Sequence, residues 1–194
     1  LAQTPARAKV TTLVALPQMY GRASDKALAV RVVEQALVDE LANPATGPMA
    51  WVSLGRLRLA AGDKSGALEA ARRAQTLDNG SEDAARLGLM LMEEGTAEAE
   101  PLVTTALAKQ PIPELRMDYA RVLIGLQRSA DAQRQLETIT RDKPDLAEAW
   151  LVLATLQIQD NRVADAQASL QRFIERTSSF NNAAVQQKGL TQAY

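Results

Sequence analysis

The sequence predicts an all-α protein, an α-solenoid of about five helix–turn–helix units. Three observations predict it. Two sets of anchor residues recur along the chain with nearly the same period. Of the 194 residues, 46% are hydrophobic but only 4% aromatic. Runs of β-branched and aromatic residues bounded by turn residues, which strands require, are largely missing. The apolar content is mostly Ala, Leu and Val, a mixture that suits closely approaching helices better than sheets.

Ala29, Ala67, Ala99, Ala132 and Ala166 open successive apolar stretches at intervals of 38, 32, 33 and 34 residues. The stretch before each is anchored by Leu16, Leu54, Leu87, Tyr119 and Leu153, at intervals of 38, 33, 32 and 34. A self-similarity of about 20–50 residues decides the architecture before any local reading does. Within each unit, apolar residues recur three and four apart on both sides of a polar break, so each unit reads as two amphipathic helices and a turn.

The first unit, residues 10–47, contains Leu16 and Ala29. Pro17 kinks or ends its first helix, and Ser24 is a candidate cap for its second. The stretch Asn43-Pro44-Ala45-Thr46-Gly47-Pro48 accounts for the one long interval. In the second unit, residues 48–80, Trp51, Leu54, Leu57 and Ala61 make one stripe, Gly62-Asp63 the turn, and Ala67, Ala71 and Ala74 the next stripe, closed by Asn79-Gly80. The third, 81–112, opens on Ser81 as a cap, is short, and ends at Pro111-Ile112-Pro113. The fourth, 113–146, ends at Lys143-Pro144-Asp145, and Asp145 with Glu148 has the spacing of a capping box for the next helix. The fifth, 147–176, repeats the Trp motif as Trp150, Leu153, Ala154 and Gln157 before Asp160-Asn161, followed by Ala166, Leu170 and Phe173. After Thr177, residues 178–194 read as a loop and then a helix from about Asn182. That helix is either a cap or the start of a truncated sixth repeat, because Val185, Leu190 and Tyr194 leave apolar surface.

Composition narrows the function. A net charge of −1, from 22 basic and 23 acidic residues, lacks the electrostatic footprint of a nucleic-acid binder. With neither cysteine nor histidine, thiol nucleophiles, Cys/His zinc sites and imidazole acid–base chemistry are excluded. No glycine-rich phosphate loop or dinucleotide fingerprint occurs. Glu93-Glu94 with Glu98 and Glu100 reads as a solvated turn rather than a metal site. The chain is therefore expected to be non-catalytic, with no cofactor and no metal. No stretch reaches the roughly 18 apolar residues of a membrane span. The start at Leu1 rather than Met reads as a processed or excised piece of something longer.

The pattern of Trp, Leu, Gly, then Ala, then an apolar residue, then Pro, at about 34 residues per copy, resembles the tetratricopeptide repeat family. The resemblance covers about residues 10–176 and departs from the family pattern at Arg116 and Ala84, where an early aromatic is usual, and at Arg58 and Gln157, where a Tyr-like residue is usual. It implies a right-handed superhelix whose first helices line a concave groove that holds a partner peptide or helix. Carried over by position, that groove presents Val52, Arg56 and Leu59 in the second repeat and Arg86, Leu89 and Met92 in the third. The fourth gives Met117, Arg121 and Ile124, and the fifth Leu151, Thr155 and Ile158. The Lys–Asn set with which some members clasp an acidic carboxyl tail has no counterpart here. The expected partner is a protein segment with apolar anchors and an occasional Asp or Glu that Arg could hold. Trp51 and Trp150 read as packing residues, and Met90, Met92 and Met117 as gap fillers that can also serve a binding surface. The alternative is self-assembly into a homo-oligomer, end to end or against other parts of the parent chain. The Ala, Arg and Gln bias with six Lys resembles high-GC bacterial proteins, and the divergent repeats resemble those of envelope proteins. This favours a periplasmic or outer-membrane-associated location over a cytoplasmic one.

Overall fold

A computed structural model describes residues 23–191 except 44 and 46. The expectations for Leu16, Pro17 and Tyr194, and for the side chains of Ser24, Val185 and Leu190, lie outside the described residues. Among those described, every regular element is helical: α1 (Ala23–Ala36), α2 (Val38–Ala42), α3 (Gly47–Ala60), α4 (Lys64–Leu77), α5 (Glu82–Glu93), a 3₁₀ turn (Ala97–Ala99) running into α6 (Glu100–Lys109), α7 (Pro113–Gly125), α8 (Ser129–Asp142), α9 (Ala147–Gln159) and α10 (Val163–Thr191). They form two compact units, divided in the sequence between Ile112 and Pro113.

One turn recurs between the helices of a pair. Gly62, Gly95, Gln127 and Asn161 have φ of 86°, 89°, 60° and 59°, the left-handed conformation that closes a helix. Each is followed by an amide that reaches back five residues: Asp63 N–H to Arg58 O, Thr96 to Leu91, Arg128 to Leu123 and Arg162 to Gln157, at 2.8–2.9 Å. These bonds satisfy carbonyls that the helix end would leave unpaired. The next helix then starts within a few residues. Asp63 Oδ1 accepts from Gly66 N–H at 2.8 Å, and Ser81 Oγ accepts from Ala84 N–H at 3.3 Å, as its sequence position predicts.

In the first unit α3 packs on α4 and α5 on α6, while α5 also packs on α3 and α4, and α1 and α2 pack on α3. Val30, Val33 and Leu37 meet Ala50, Leu54 and Leu57 in one core cluster, and Val52, Ala74 and Ala84 form a second. Trp51 packs against both, and its indole N–H donates to Leu41 O at 3.1 Å. The crossing of α3 with its neighbours is close: a Cβ on Gly55 would lie 2.5 Å from Leu87 Cδ2 and 3.3 Å from Ala67 O. At the equivalent Gly88 it would lie 3.1 Å from Leu102 Cβ and 3.2 Å from Ala99 O. In the second unit α7 pairs with α8 and α9 with α10, and α9 also packs on α8. There Ala120 and Ala154 fill the small position, both fully buried. Leu115, Leu123, Leu136 and Ile139 are sealed from water, each contributing roughly 2 kcal/mol by burial. Trp150 repeats the Trp51 device, its indole N–H donating to Pro144 O at 2.9 Å.

The departures from the repeat pattern have partners. Arg58 reaches from α3 to the Glu34 carboxylate on α1 and donates to Gly66 O on α4 at 2.9 Å, so one side chain ties three helices together. Buried Gln157 accepts a 2.8 Å hydrogen bond from buried Ser169 of α10. Arg116 donates to Gln135 of α8 at 2.7 Å.

Two expectations are corrected. Asp145 does not cap α9, whose first residue follows Leu146 with no side-chain cap. Asp145 instead lies 3.3 Å from Arg176 of α10, and Glu148 turns to Arg121. The loop expected after Thr177 is also absent, because α10 runs unbroken from Val163 to Thr191. Ser and Asn lower helix propensity by only fractions of a kcal/mol per residue, and neither Gly nor Pro stands between 178 and 187 to break the chain.

Candidate interaction surface

The first helices of the pairs, α3 and α5 in the first unit and α7 and α9 in the second, carry every residue predicted to face a partner. Burial divides those twelve. Val52, Leu89, Met92 and Met117 are packed into the interior, Val52 against Ala74 and Ala84, so they supply cohesion and no contact surface. Leu59, Arg86 and Ile124 are half-buried, and Arg56, Arg121, Leu151, Thr155 and Ile158 are exposed. The error on α5 is one of register. Its outward line runs through Asp83, Arg86, Met90 and Glu93, spaced three, four and three, while the apolar line through Leu89 and Met92 turns inward. The spacing of the charged residues was the usable signal: an apolar stripe on a helix marks its core side first.

On α9 all three predicted residues are exposed. Leu151, Thr155 and Ile158 lie four and three apart on one face, with Leu151 40% and Ile158 57% exposed. Fully burying such a side chain is worth about 1.5–3 kcal/mol, so two in line form a substantial unspent apolar strip.

The arginines are already engaged. Arg56 of α3 lies 3.5 Å from Asp83 of α5, and Arg121 of α7 lies 2.5 Å from Glu148 of α9 and 2.8 Å from Asp118. The two cross-helix pairs are each 27 residues apart in sequence, so they are one bridge repeated in both units. The hydrogen bond to Glu148, partly offset by desolvation and reinforced by Asp118, raises the pKa of Arg121 above its ordinary value. Arg86 pairs along its own helix with Glu82 at 2.7 Å. An Asp or Glu of a partner, which the sequence expectation let these arginines hold, would have to compete with the carboxylates already paired with them.

Beside Arg56, the first unit has an open cleft of about 420 Å³ lined by Arg56, Leu59, Ala60, Gly62, Lys64, Met90, Glu93 and Glu94. Met90 is 42% exposed and lines this cleft, whereas Met92, assigned to the surface from the sequence, is buried. A second cleft, of about 400 Å³, lies between α1 and α3 and is floored by Trp51, Leu54 and the Arg58–Glu34 pair. Among the described residues no helix is long and apolar enough to cross a membrane.

Comparison with protein families matches the tetratricopeptide repeat over residues 19–83 and 117–182, about two thirds of the chain. The chain belongs to the tetratricopeptide repeat family. Its paired helices are those of an α-solenoid fold, and repeats of this family are protein-interaction scaffolds. Among solved structures, the chain is similar to MamA, with 15% identity, a TM-score of 0.63, and coverage of 94% of this chain and 99% of that one. It is also similar to PilF of Pseudomonas aeruginosa, with 16% identity, a TM-score of 0.57, and coverage of 89% and 78%. PilW, described as a widely conserved type IV pilus biogenesis factor, has 19% identity, a TM-score of 0.52, and coverage of 87% and 78%. At these identities the likeness concerns the tetratricopeptide fold. No curated protein matches the chain.

Proposed function

We propose that this tetratricopeptide repeat chain is a non-catalytic scaffold that holds a peptide or helix of a partner protein on the outward faces of its first helices. The observation that supports it is the α9 strip. Leu151 and Ile158 stand exposed at the spacing with which a helix offers anchors to an apolar segment. In the first unit the corresponding surface is the α3–α5 cleft, with Leu59 and Met90 as its apolar part. The Arg56–Asp83 and Arg121–Glu148 bridges join neighbouring first helices on this face and, being exposed, contribute little to stability. The similarity to PilF and PilW supports placing the scaffold at the bacterial envelope, periplasmic or associated with the outer membrane.

The test is site-specific photo-crosslinking in the native cell. A benzophenone side chain at Thr155, between the two apolar anchors, should give a discrete adduct with another protein. The same group at Gln167, exposed on α10, should give none. Adducts of equal yield from both positions would contradict the face assignment.

Self-assembly is the second reading, favoured by the length of α10. Its 29 residues extend about 43 Å, about twice the roughly 20 Å of the 13 of α9 with which it pairs. Sedimentation velocity distinguishes the readings: a monomer at high protein concentration contradicts self-assembly.

A further inference from the structure

Resting on the reading that first-helix faces bind a protein segment, we propose that the α3–α5 cleft selects a segment carrying a lysine or arginine set among aliphatic residues. The methylene stem lies over Leu59 and Met90, and the cationic head reaches Glu93.

The cleft's shape admits such an anchor. Its volume of about 420 Å³ lies within the range of roughly 300–1,000 Å³ that accommodates a small ligand, so one long side chain and adjoining backbone have room. Its apolar part is Leu59, half-buried on α3, and Met90, 42% exposed on α5. Methionine adapts to irregular partners, which suits a flexible stem.

The charges decide the kind of partner. Arg56 is taken by Asp83 at 3.5 Å. Lys64 is taken by Glu94, its Nζ lying 3.2 Å from the carboxylate and also donating to the Glu94 backbone carbonyl. Glu93 is exposed, and its carboxylate has no ion pair or hydrogen bond among the described residues. The unspent charge of the cleft is thus one carboxylate beside an apolar surface. A partner Asp or Glu would meet Glu93 as a like charge and would have to displace Asp83 or Glu94 from its cation. A purely apolar anchor would leave Glu93 in water, gaining nothing from it. Lys and Arg satisfy both surfaces at once, because they bury the stem and keep the charged head at the wet rim. Specificity here is a difference between partners, and the repulsive arrangement against acids counts as much as the attraction to a base.

The experiment uses the whole chain with methyl-labelled Met, Leu and Ile. The probes are two amphipathic peptides of about 14 residues, built from Leu, Ala and Gln and differing only in a central Arg or Glu. The Arg peptide should shift the Met90 methyl saturably and bind at least fivefold more tightly than the Glu peptide, a difference that fades at high salt. Glu93→Gln should bring the two within twofold, and Glu93→Lys should reverse the preference. Both changes lie on an exposed side chain, and circular dichroism confirms that helicity is kept. Equal or Glu-favouring affinity, or an Arg preference that survives Glu93→Gln, overturns the proposal. Shifts at Leu151 and Ile158 without any at Met90 overturn it while leaving the interaction-face reading in place. Silence at both faces contradicts both.

Discussion

Gln127 holds a backbone conformation that its relatives in the chain give to better-suited residues. Gly62, Gly95 and Asn161 take the same left-handed turn, and glycine and asparagine do so at little cost. An ordinary L-residue pays roughly 1–2 kcal/mol there, while a glycine adds about 0.4–1 kcal/mol of disorder to the unfolded chain. Gln127→Gly should therefore raise unfolding stability by about 0.5–1 kcal/mol in urea titrations, and Asn161→Gly by less. No change at Gln127 would mean the turn is not strained. Asp131 offers a test by pH. The hydrogen bond from Arg128, opposed by desolvation and assisted by the charges of Arg128 and Arg134, holds its carboxyl below the ordinary 3.8. A carboxyl depressed in the folded state adds stability that is present above its unfolded value and is lost as pH falls through the folded one. Its NMR titration midpoint should lie below 3.8 and return towards that value in Arg128→Gln; a midpoint at or above 3.8 in the parent chain contradicts the pairing. At this scale the sequence was partly legible. Ser81 and the two tryptophans could be placed because capping and packing follow from local spacing. The side-chain partners of Arg58, Gln157 and Arg116 could not, since Glu34, Ser169 and Gln135 lie 12–24 residues away on another helix.

At the scale of the helix, start and stop signals depend on side-chain geometry that spacing alone does not fix. Ser81 and Asp145 looked alike as caps, yet only Ser81 binds an amide of its helix. Ser81→Ala should accordingly cost about 1 kcal/mol. Asp145→Ala, which removes an exposed pair with Arg176, should cost less than about 0.5 kcal/mol. Chemical denaturation of the two variants side by side checks this, and equal losses would restore the capping box. The turns were more legible than the caps: Gly62-Asp63 and Asp160-Asn161 mark them in sequence, and the structure puts the left-handed residue at each. Residues 178–182 misled for the opposite reason. Ser and Asn suggest a loop by composition, but nothing there forbids a helix already nucleated upstream from continuing.

For the whole molecule, the repeat was legible because packing demands a small residue and a large apolar one at each helix crossing, and those demands recur with the crossings. Gly55, Gly88, Ala120 and Ala154 show the constraint directly. The binding surface was less legible, because residues free of packing obligations carry no period of their own. Hence the residues predicted to face a partner are exposed on α9, whereas Leu89 and Met92 on α5, Val52 on α3 and Met117 on α7 are buried. Arg56 and Arg121 are exposed, but their pairing with Asp83 and Glu148 on the next first helix was not readable from spacing. The central claim is that a partner segment docks on the outward faces of the first helices. The most direct measurement is the affinity for the protein crosslinked through Thr155, compared between the parent chain and the double variant Leu151→Asp/Ile158→Asp, with Gln167→Asp as control. With helicity unchanged in all three, the double variant should bind at least tenfold more weakly and the control within twofold. Equal affinity of the double variant and the parent, or an equal loss in the control, would contradict the account.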